Sequence, residues 1–207
     1  MNKAGVKVFL NREVSLETVE EMKPDAVVVA TGAAPIIPDI PGIHGKNVVL
    51  AQDVLTSKVD MGQEVVIIGG GLAGLETALF LAEQGKRVSV VEMKKIAWDI
   101  DNHHKKLALM ELLTKYGVYM YTDSTLDSVT EKGVNVFWDS GLPPTKEWVL
   151  FFLKADTVVL AVGSVSENKL AEKLSGVRSE VYTIGDCVQP RNVLAATQEG
   201  DEIGRRI

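Results

Sequence analysis

The stretch that decides the fold is EVVIIGGGLAGLETALFLAEQGKRVSVVE, residues 64–92. Apolar residues at 65–68 lead into three glycines, and a segment rich in leucine and alanine follows over 72–84. Gly85 ends that segment, and a valine-rich run returns at 88–91. This order predicts a buried strand, a glycine turn, a helix and a second strand, which together make a βαβ unit of a parallel sheet.

The turn inside this unit has the spacing G-x-G-x-x-G, with Gly69, Gly71 and Gly74 as its glycines. The first glycine permits the tight turn, the second lets the backbone approach a pyrophosphate, and the third lets the helix pack on the strand. The free N–H groups and positive end of the helix attract phosphate. We therefore predict a dinucleotide site formed by Gly69, Gly70, Gly71, Leu72, Ala73 and Gly74.

Glu92 ends the second strand, at the position where an acid binds the adenosine ribose hydroxyls in such units. The hexapeptide alone would also fit a plain glycine turn, but strand, helix, second strand and acid together favour nucleotide binding. Lys94 and Lys95 follow, and lysines there either contact a 2′-phosphate or are surface charges. The acid predicts NAD(H) rather than NADP(H).

The segments PDAVVVATGAAP and ADTVVLAVGSVS share one plan, in which an acid, an apolar run, alanine and glycine follow one another. Each is predicted to be a strand that is covered on both faces and closes a unit. Such a unit begins with a strand that leads into a glycine-rich turn, and the chain has one such turn, at Gly69. The segment ADTVVLAVGSVS therefore closes the central unit. The segment PDAVVVATGAAP belongs to another unit, whose first strand and glycine-rich turn we expect outside this chain.

The remaining patterns are less specific. Residues 5–10 alternate as in a strand, and residues 101–116 form an amphipathic helical pattern. Residues 124–153 contain three β-rich pieces with turn residues at 131–133 and 141–144, which predict an antiparallel meander.

Bulk composition excludes several classes of function. The 207 residues carry a net charge of -6, which argues against a nucleic-acid surface. No apolar run is long enough to span a bilayer, and one cysteine allows no internal disulfide or CxxC pair. We therefore expect a cytoplasmic protein without nucleic-acid or membrane partners. His103 and His104 are adjacent and point to no metal site, and no catalytic acid or base can be nominated.

Four motifs, in this order, cover nearly the whole chain: DAVVVATGAAPIIPDIPG, VVIIGGGLAGLETA, ADTVVLAVGS and VYTIGDCVQPRNVLAATQEG. They resemble the C-terminal part of the NADH:flavin oxidoreductases related to 2,4-dienoyl-CoA reductase and 2-enoate reductase, which are flavoproteins with two dinucleotide-binding domains. The resemblance implies an α/β fold, with a Rossmann-like parallel sheet and an antiparallel β-meander forming an inserted NAD(P)-binding domain. It places an NAD(H)-binding domain at 59–153, flanked by remnants of a second, FAD-binding Rossmann-like domain at 1–58 and 154–207.

The resemblance also implies roles for residues outside the glycine turn. Glu76 corresponds to a glutamate near the nicotinamide, although an exposed helix charge is an equal alternative. Three residues would border the nicotinamide: Ala161, Val162 and Gly163. Four others would contact FAD: Thr31, Gly32, Gly185 and Asp186. Without the family's first FAD-binding βαβ unit, the last four are better explained in this chain alone as strand-end residues.

The implied function is transfer of a hydride from NAD(P)H to FAD, for reduction of an enoate or dienoyl-type substrate elsewhere in a larger enzyme. FMN and an iron–sulfur cluster belong to the family's N-terminal barrel, which we expect as a partner domain together with the absent FAD segment. A homo-oligomer is also expected, and the isolated chain is expected to be inactive on the final substrate. The alternatives are a ferredoxin-reductase or glutamate-synthase small-subunit type of reductase, and a non-catalytic NADH-binding module.

Overall fold

A computed structural model describes residues 5–139, 148–176 and 180–207. Its helices are α1 (Leu16–Met22), α2 (Ala51–Leu55), α3 (Leu72–Glu83), α4 (His103–Lys115), α5 (Lys169–Lys173) and α6 (Val193–Arg206). Its strands are β1 (Ala26–Val29), β2 (Ala33–Pro35), β3 (Val48–Leu50), β4 (Glu64–Ile68), β5 (Arg87–Val91), β6 (Tyr119–Tyr121), β7 (Ser124–Thr130), β8 (Gly133–Asp139), β9 (Trp148–Lys154), β10 (Thr157–Leu160), β11 (Ser164–Ser166) and β12 (Glu180–Thr183).

The chain divides into two compact units, one formed by residues 35–163 and the other by residues up to 34 and from 164. The larger unit contains a five-stranded sheet in the order β3-β10-β4-β5-β6, in which every neighbouring pair is parallel. It also contains the antiparallel sheet β7-β8-β9. The predicted α/β fold with a meander is confirmed. The predicted turn at 131–133 joins β7 and β8, whereas the one at 141–144 lies outside the described residues.

The parallel sheet of the larger unit is covered on both faces, as its apolar strands require. Along β4, Val65 and Ile67 belong to a core cluster with residues of α3 and α4, while Val66 and Ile68 belong to a cluster with residues of the meander. This alternation follows from the two-residue period of a strand. The result is a helical layer on one face and the meander on the other.

The bounds of the larger unit differ from the predicted 59–153. β3 and β10 lie outside those bounds, yet both are strands of the parallel sheet, and β10 pairs with β3 on one side and β4 on the other. The compact unit therefore extends beyond the predicted domain on both sides, because pairing between segments distant in sequence decides where a sheet ends; the division into an NAD(H)-binding domain and FAD-domain remnants stays a prediction. The role of β10 as the closing strand of the central unit is confirmed.

The smaller unit contains the parallel pair β1-β12 and a small core around Val19, Val29, Leu174 and Cys187. The prediction that β1 is covered on both faces was wrong: Val28 is 39% exposed, whereas all four residues of β10 are buried. The predicted strand at residues 5–10 is also absent, and its side chains are exposed. A strand needs a hydrogen-bonded partner, and within the described residues this segment has none.

Candidate dinucleotide-binding site

At two positions of the glycine turn between β4 and α3, a side chain would clash with backbone atoms. Gly69 has φ +110°, and a Cβ there would lie 2.3 Å from the carbonyl oxygen of Ala161. A Cβ on Gly74 would lie 1.9 Å from the carbonyl oxygen of Gly69. The first and third glycines of the motif are therefore required for packing, as the spacing predicted.

Gly71 is different, because it has an ordinary φ of -75° and the three atoms nearest to a Cβ there all belong to the side chain of Asp99. Gly71 is also the N-cap of α3, so the N-cap residue itself supplies no capping side chain. The N–H groups of its first turn point away from the helix and form the kind of site that binds phosphate. Leu72, the first helical residue, is half-buried, and Ala73 is exposed.

Glu92 lies directly beside this turn and is only 6% exposed. One carboxylate oxygen accepts the N–H of Gly70 at 2.7 Å, and the other accepts the N–H of Lys94 at 2.7 Å. These two bonds fix the orientation of the carboxylate at the end of β5. The structure therefore brings the predicted acid and the predicted phosphate turn together, while contact of Glu92 with a ribose stays a prediction.

The two lysines after Glu92 are already engaged. Lys95 forms an ion pair with Asp123 at 2.8 Å, and the ammonium of Lys94 lies 4.0 Å from the centroid of the Trp98 ring. Both arrangements direct positive charge toward groups of the protein itself. They weaken the case for a 2′-phosphate site at this strand end.

The exit of β10 lies next to the turn, as the close approach of Ala161 to Gly69 shows. The N–H of Ala161 donates to Ile68 at 2.8 Å, and Gly163, with φ +102°, accepts from the N–H of Ile36 at 3.0 Å. Val162 packs on the core cluster of the meander side. That these three residues border a nicotinamide remains a prediction.

Glu76, on the second turn of α3, is half-exposed and pairs with Lys105 of α4, with 3.1 Å between Oε1 and Nζ. An exposed pair of this kind contributes about 0–1 kcal/mol to stability. The contact explains the charge of Glu76 without a ligand, and its place near the nicotinamide stays a prediction.

Sequence reasoning missed Asp99, whose carboxylate accepts the N–H of Leu72 at 2.9 and 3.1 Å. This residue caps α3 from a loop that follows β5. The available signal was indirect: a helix that begins at a glycine leaves its N–H groups without a local acceptor, so an acceptor from elsewhere in the chain was to be expected.

The four residues predicted to contact FAD lie in the smaller unit and form two groups. Thr31 donates its hydroxyl hydrogen to the carbonyl of Glu167, and the carbonyl of Gly32 accepts the N–H of Glu167 at 3.0 Å. Gly185 and Asp186 lie in a 3-10 turn, Gly185–Cys187, where Asp186 accepts the N–H of Arg191 at 3.1 Å.

The smaller unit alone does not fit FAD. Among its described residues, no strand leads through a glycine-rich turn into a helix, which is the feature that binds a pyrophosphate. The N–H of Gly185, a group that would be available to a ligand, already donates to the carboxylate of Glu199 at 2.6 Å.

Glu199 also pairs with Arg191, and these contacts hold its pKa below the ordinary value, first through the N–H of Gly185 and then through Arg191. A carboxylate with a depressed folded pKa contributes stability above the unfolded pKa, about 4.3, and loses it as the pH falls through the folded pKa. We expect Glu199→Gln to lower the melting temperature of the protein at about pH 7, and to lower it much less at about pH 3.

Circular dichroism melts at the two pH values check this expectation. Glu202→Gln is the matched control, because it removes an exposed acid from the same helix. A destabilisation by Glu199→Gln of equal size at both pH values would contradict the role of the ionised carboxylate.

With this geometry established, comparison with known proteins gives the family. The family model of pyridine nucleotide-disulphide oxidoreductases matches residues 1–180. The chain belongs to this family. It is 34% identical to an NADH oxidase of Thermoanaerobacter brockii over 100% of the chain and 32% of that protein, and 30% identical to a cinnamate reductase of Clostridium sporogenes over 98% of the chain and 30% of that protein.

A solved structure of a 2-naphthoyl-CoA reductase in complex with 2-naphthoyl-CoA superimposes with a TM-score of 0.90 and 34% identity, covering 100% of this chain and 30% of that one. The chain thus spans about a third of the length of these relatives. The family implies NAD(P)H and FAD as cofactors and oxidoreductase chemistry. Within the described residues, no helix is long and apolar enough to cross a bilayer, and no cluster of metal-binding side chains occurs.

Proposed function

We propose that the chain is the pyridine-nucleotide-binding portion of a flavin-dependent oxidoreductase, and that residues 35–163 bind NADH. The observation that carries the proposal is the glycine turn with a buried acid at its side. Gly71 offers a backbone without a Cβ at the start of α3, and Glu92 is held beside it by the N–H of Gly70. When bound, NADH supplies a hydride to a flavin; the protein's part is to position the two cofactors.

Different residues of the larger unit would hold different parts of NADH. The backbone at Gly71 and the first turn of α3 would hold the pyrophosphate through N–H groups and the helix dipole, while the N–H of Gly70 stays bonded to Glu92. Glu92 would accept the hydroxyls of the adenosine ribose. The exit of β10 at Gly163 would border the nicotinamide.

The finer parts of the proposal concern the whole enzyme. Further domains would contribute an FAD-binding segment and a barrel with FMN and an iron–sulfur cluster. The proposal also includes a cytoplasmic location and assembly into a homo-oligomer. An enoate or dienoyl-type substrate is supported by the relative named cinnamate reductase, since cinnamate is an enoate. It is not the only acceptor among relatives, because another at 34% identity is named a metal reductase.

The test is a calorimetric titration of the 207-residue chain with NADH, together with the variant Gly71→Ala. Alanine is compatible with the φ of Gly71, and the nearest atoms to its Cβ belong to the exposed side chain of Asp99, which can rotate away, so we expect the variant to fold. The same Cβ would block the approach of a pyrophosphate and weaken NADH binding by at least about tenfold.

Gly204→Ala in α6 is the matched control, because a Cβ there meets no atom within 4 Å. It should bind NADH as the wild type does. Absence of saturable NADH binding by the wild type, or full affinity in a folded Gly71→Ala variant, would refute the proposed site.

A further inference from the structure

The loop of residues 93–101, which follows β5, lies against the glycine turn. We call it the Ala97 loop. The N–H of Ala97 donates to the carbonyl of Gly70 at 2.8 Å, and the carbonyl of Ala97 accepts from Nζ of Lys106 at 2.9 Å. Ala97 itself is fully buried and has a φ of +58°, which an alanine adopts only where its surroundings hold it. The loop is therefore fixed to the turn at its centre.

Two residues further on, the carboxylate of Asp99 lies at the start of α3. Both of its oxygens are within 3.1 Å of the N–H of Leu72, and a Cβ built on Gly71 would lie 2.8 Å from Oδ2. The carboxylate thus fills the space that the missing side chain of Gly71 leaves open. It accepts a hydrogen bond from the first N–H of the helix, which is the group that binds phosphate in a dinucleotide turn.

We propose that Asp99 is an internal competitor of the dinucleotide pyrophosphate, so that NADH binds only when this carboxylate withdraws from the N–H of Leu72. The proposal rests on the proposed function, because it concerns the same site. A carboxylate and a phosphate oxygen cannot accept the same N–H at full strength, and two anions at that spacing repel each other.

Withdrawal does not require the loop to unfold. The Asp99 residue is exposed, and the hydrogen bond that holds the loop to the glycine turn is made by Ala97. Rotation of the Asp99 side chain is enough to free the N–H, while the loop stays attached to Gly70. In the nucleotide-free protein the same carboxylate supplies the acceptor that the N-terminus of α3 lacks at its glycine N-cap.

These two roles predict opposite effects of one substitution. Asp99→Ala is expected to lower the melting temperature of the nucleotide-free protein. Within the described residues, Asp99 is the side chain that accepts the N–H of Leu72, and the substitution removes this cap from α3. It is expected to lower the Kd for NADH by about tenfold, equivalent to about 1.4 kcal/mol. A residue that only supports the site would instead weaken binding when removed.

The experiment measures the Kd for NADH by calorimetry, and the melting temperature without NADH, for the wild type, Asp99→Ala, Asp99→Asn and Asp101→Asn. Asp99→Asn keeps an oxygen that can accept the Leu72 N–H but removes the charge, so its affinity should lie between those of wild type and Asp99→Ala. Asp101→Asn is the matched control, because it removes an exposed charge from the same loop, and its Kd should change by less than about twofold.

Equal or weaker NADH binding by Asp99→Ala, with a wild type that binds, would overturn the competitor role and leave the proposed function intact. Equal tightening by Asp101→Asn would also overturn it, since the effect would then be one of general charge. If the wild type does not bind NADH, the proposed function itself fails and the inference with it.

Discussion

Replacing Gly74 by alanine is expected to lower the unfolding free energy of the larger unit by about 3 kcal/mol or more, at the upper end of the cost of overpacking. The new Cβ would lie 1.9 Å from the carbonyl oxygen and 3.0 Å from the carbonyl carbon of Gly69, and 3.3 Å from Cβ of Ala161. The first two atoms are backbone, so no side-chain rotation can relieve the contact. α3 would have to move away from β4, and Leu75 and Leu81, both buried against the sheet, would move with it.

Urea unfolding followed by tryptophan fluorescence measures this effect in the right part of the molecule, because all three tryptophans, at 98, 138 and 148, lie within residues 35–163. Gly200→Ala is the matched control, since it makes the same change inside α6 where a Cβ meets nothing within 4 Å. Its intrinsic effect on a helix is favourable by about 1 kcal/mol. An unchanged urea midpoint for Gly74→Ala would show that α3 is not packed as closely on β4 as the structure indicates.

The local part of the fold was predictable from sequence because its signals are local. The helix predicted at 72–84 is observed as Leu72–Glu83, with Gln84 as its C-cap and Gly85 in a left-handed conformation. The strands on either side follow from apolar runs bounded by polar residues. Gly69 and Gly74 were assigned correctly because steric exclusion at a strand–turn–helix junction depends on only a few neighbouring residues.

The features that were predicted wrongly or missed depend on contacts between residues distant in sequence. The two segments that share one plan were both predicted to be covered on both faces, but only β10 is, because it lies between β3 and β4 and under the meander. β1 pairs only with β12 among the described strands. Asp99 was missed for the same reason, since its contact with Leu72 joins residues 27 positions apart and leaves no periodic pattern.

Cofactor choice is the second large effect, and we expect the wild type to bind NADH at least about fivefold more tightly than NADPH. A 2′-phosphate beside the carboxylate of Glu92 would meet a like charge, at a cost of roughly 1–4 kcal/mol for effective dielectrics between those of water and a protein surface. This is about fivefold to seven-hundredfold in affinity. Lys94 and Lys95, which would offset part of this cost, are directed toward Trp98 and Asp123.

The structure also determines which variant tests this cleanly. Glu92→Arg would place a guanidinium, which has no acceptor, in a nearly buried position where the N–H groups of Gly70 and Lys94 both donate. The turn itself would then be disrupted. Glu92→Gln removes the charge with almost the same shape, and its amide oxygen can still accept one of the two N–H groups.

We therefore expect Glu92→Gln to weaken NADH binding and to narrow the preference over NADPH by roughly tenfold, because the repulsion of the 2′-phosphate disappears with the charge. Calorimetric titration of both cofactors gives the ratio of the Kd for NADPH to the Kd for NADH in the wild type and in the variant. A thermal melt reports any loss of stability that the substitution causes at the turn. Glu83→Gln, which removes an exposed acid at the far end of α3, should leave both affinities unchanged. If the wild type binds NADPH as tightly as NADH, Glu92 does not contact the ribose, and its burial beside Gly70 serves only to hold the turn.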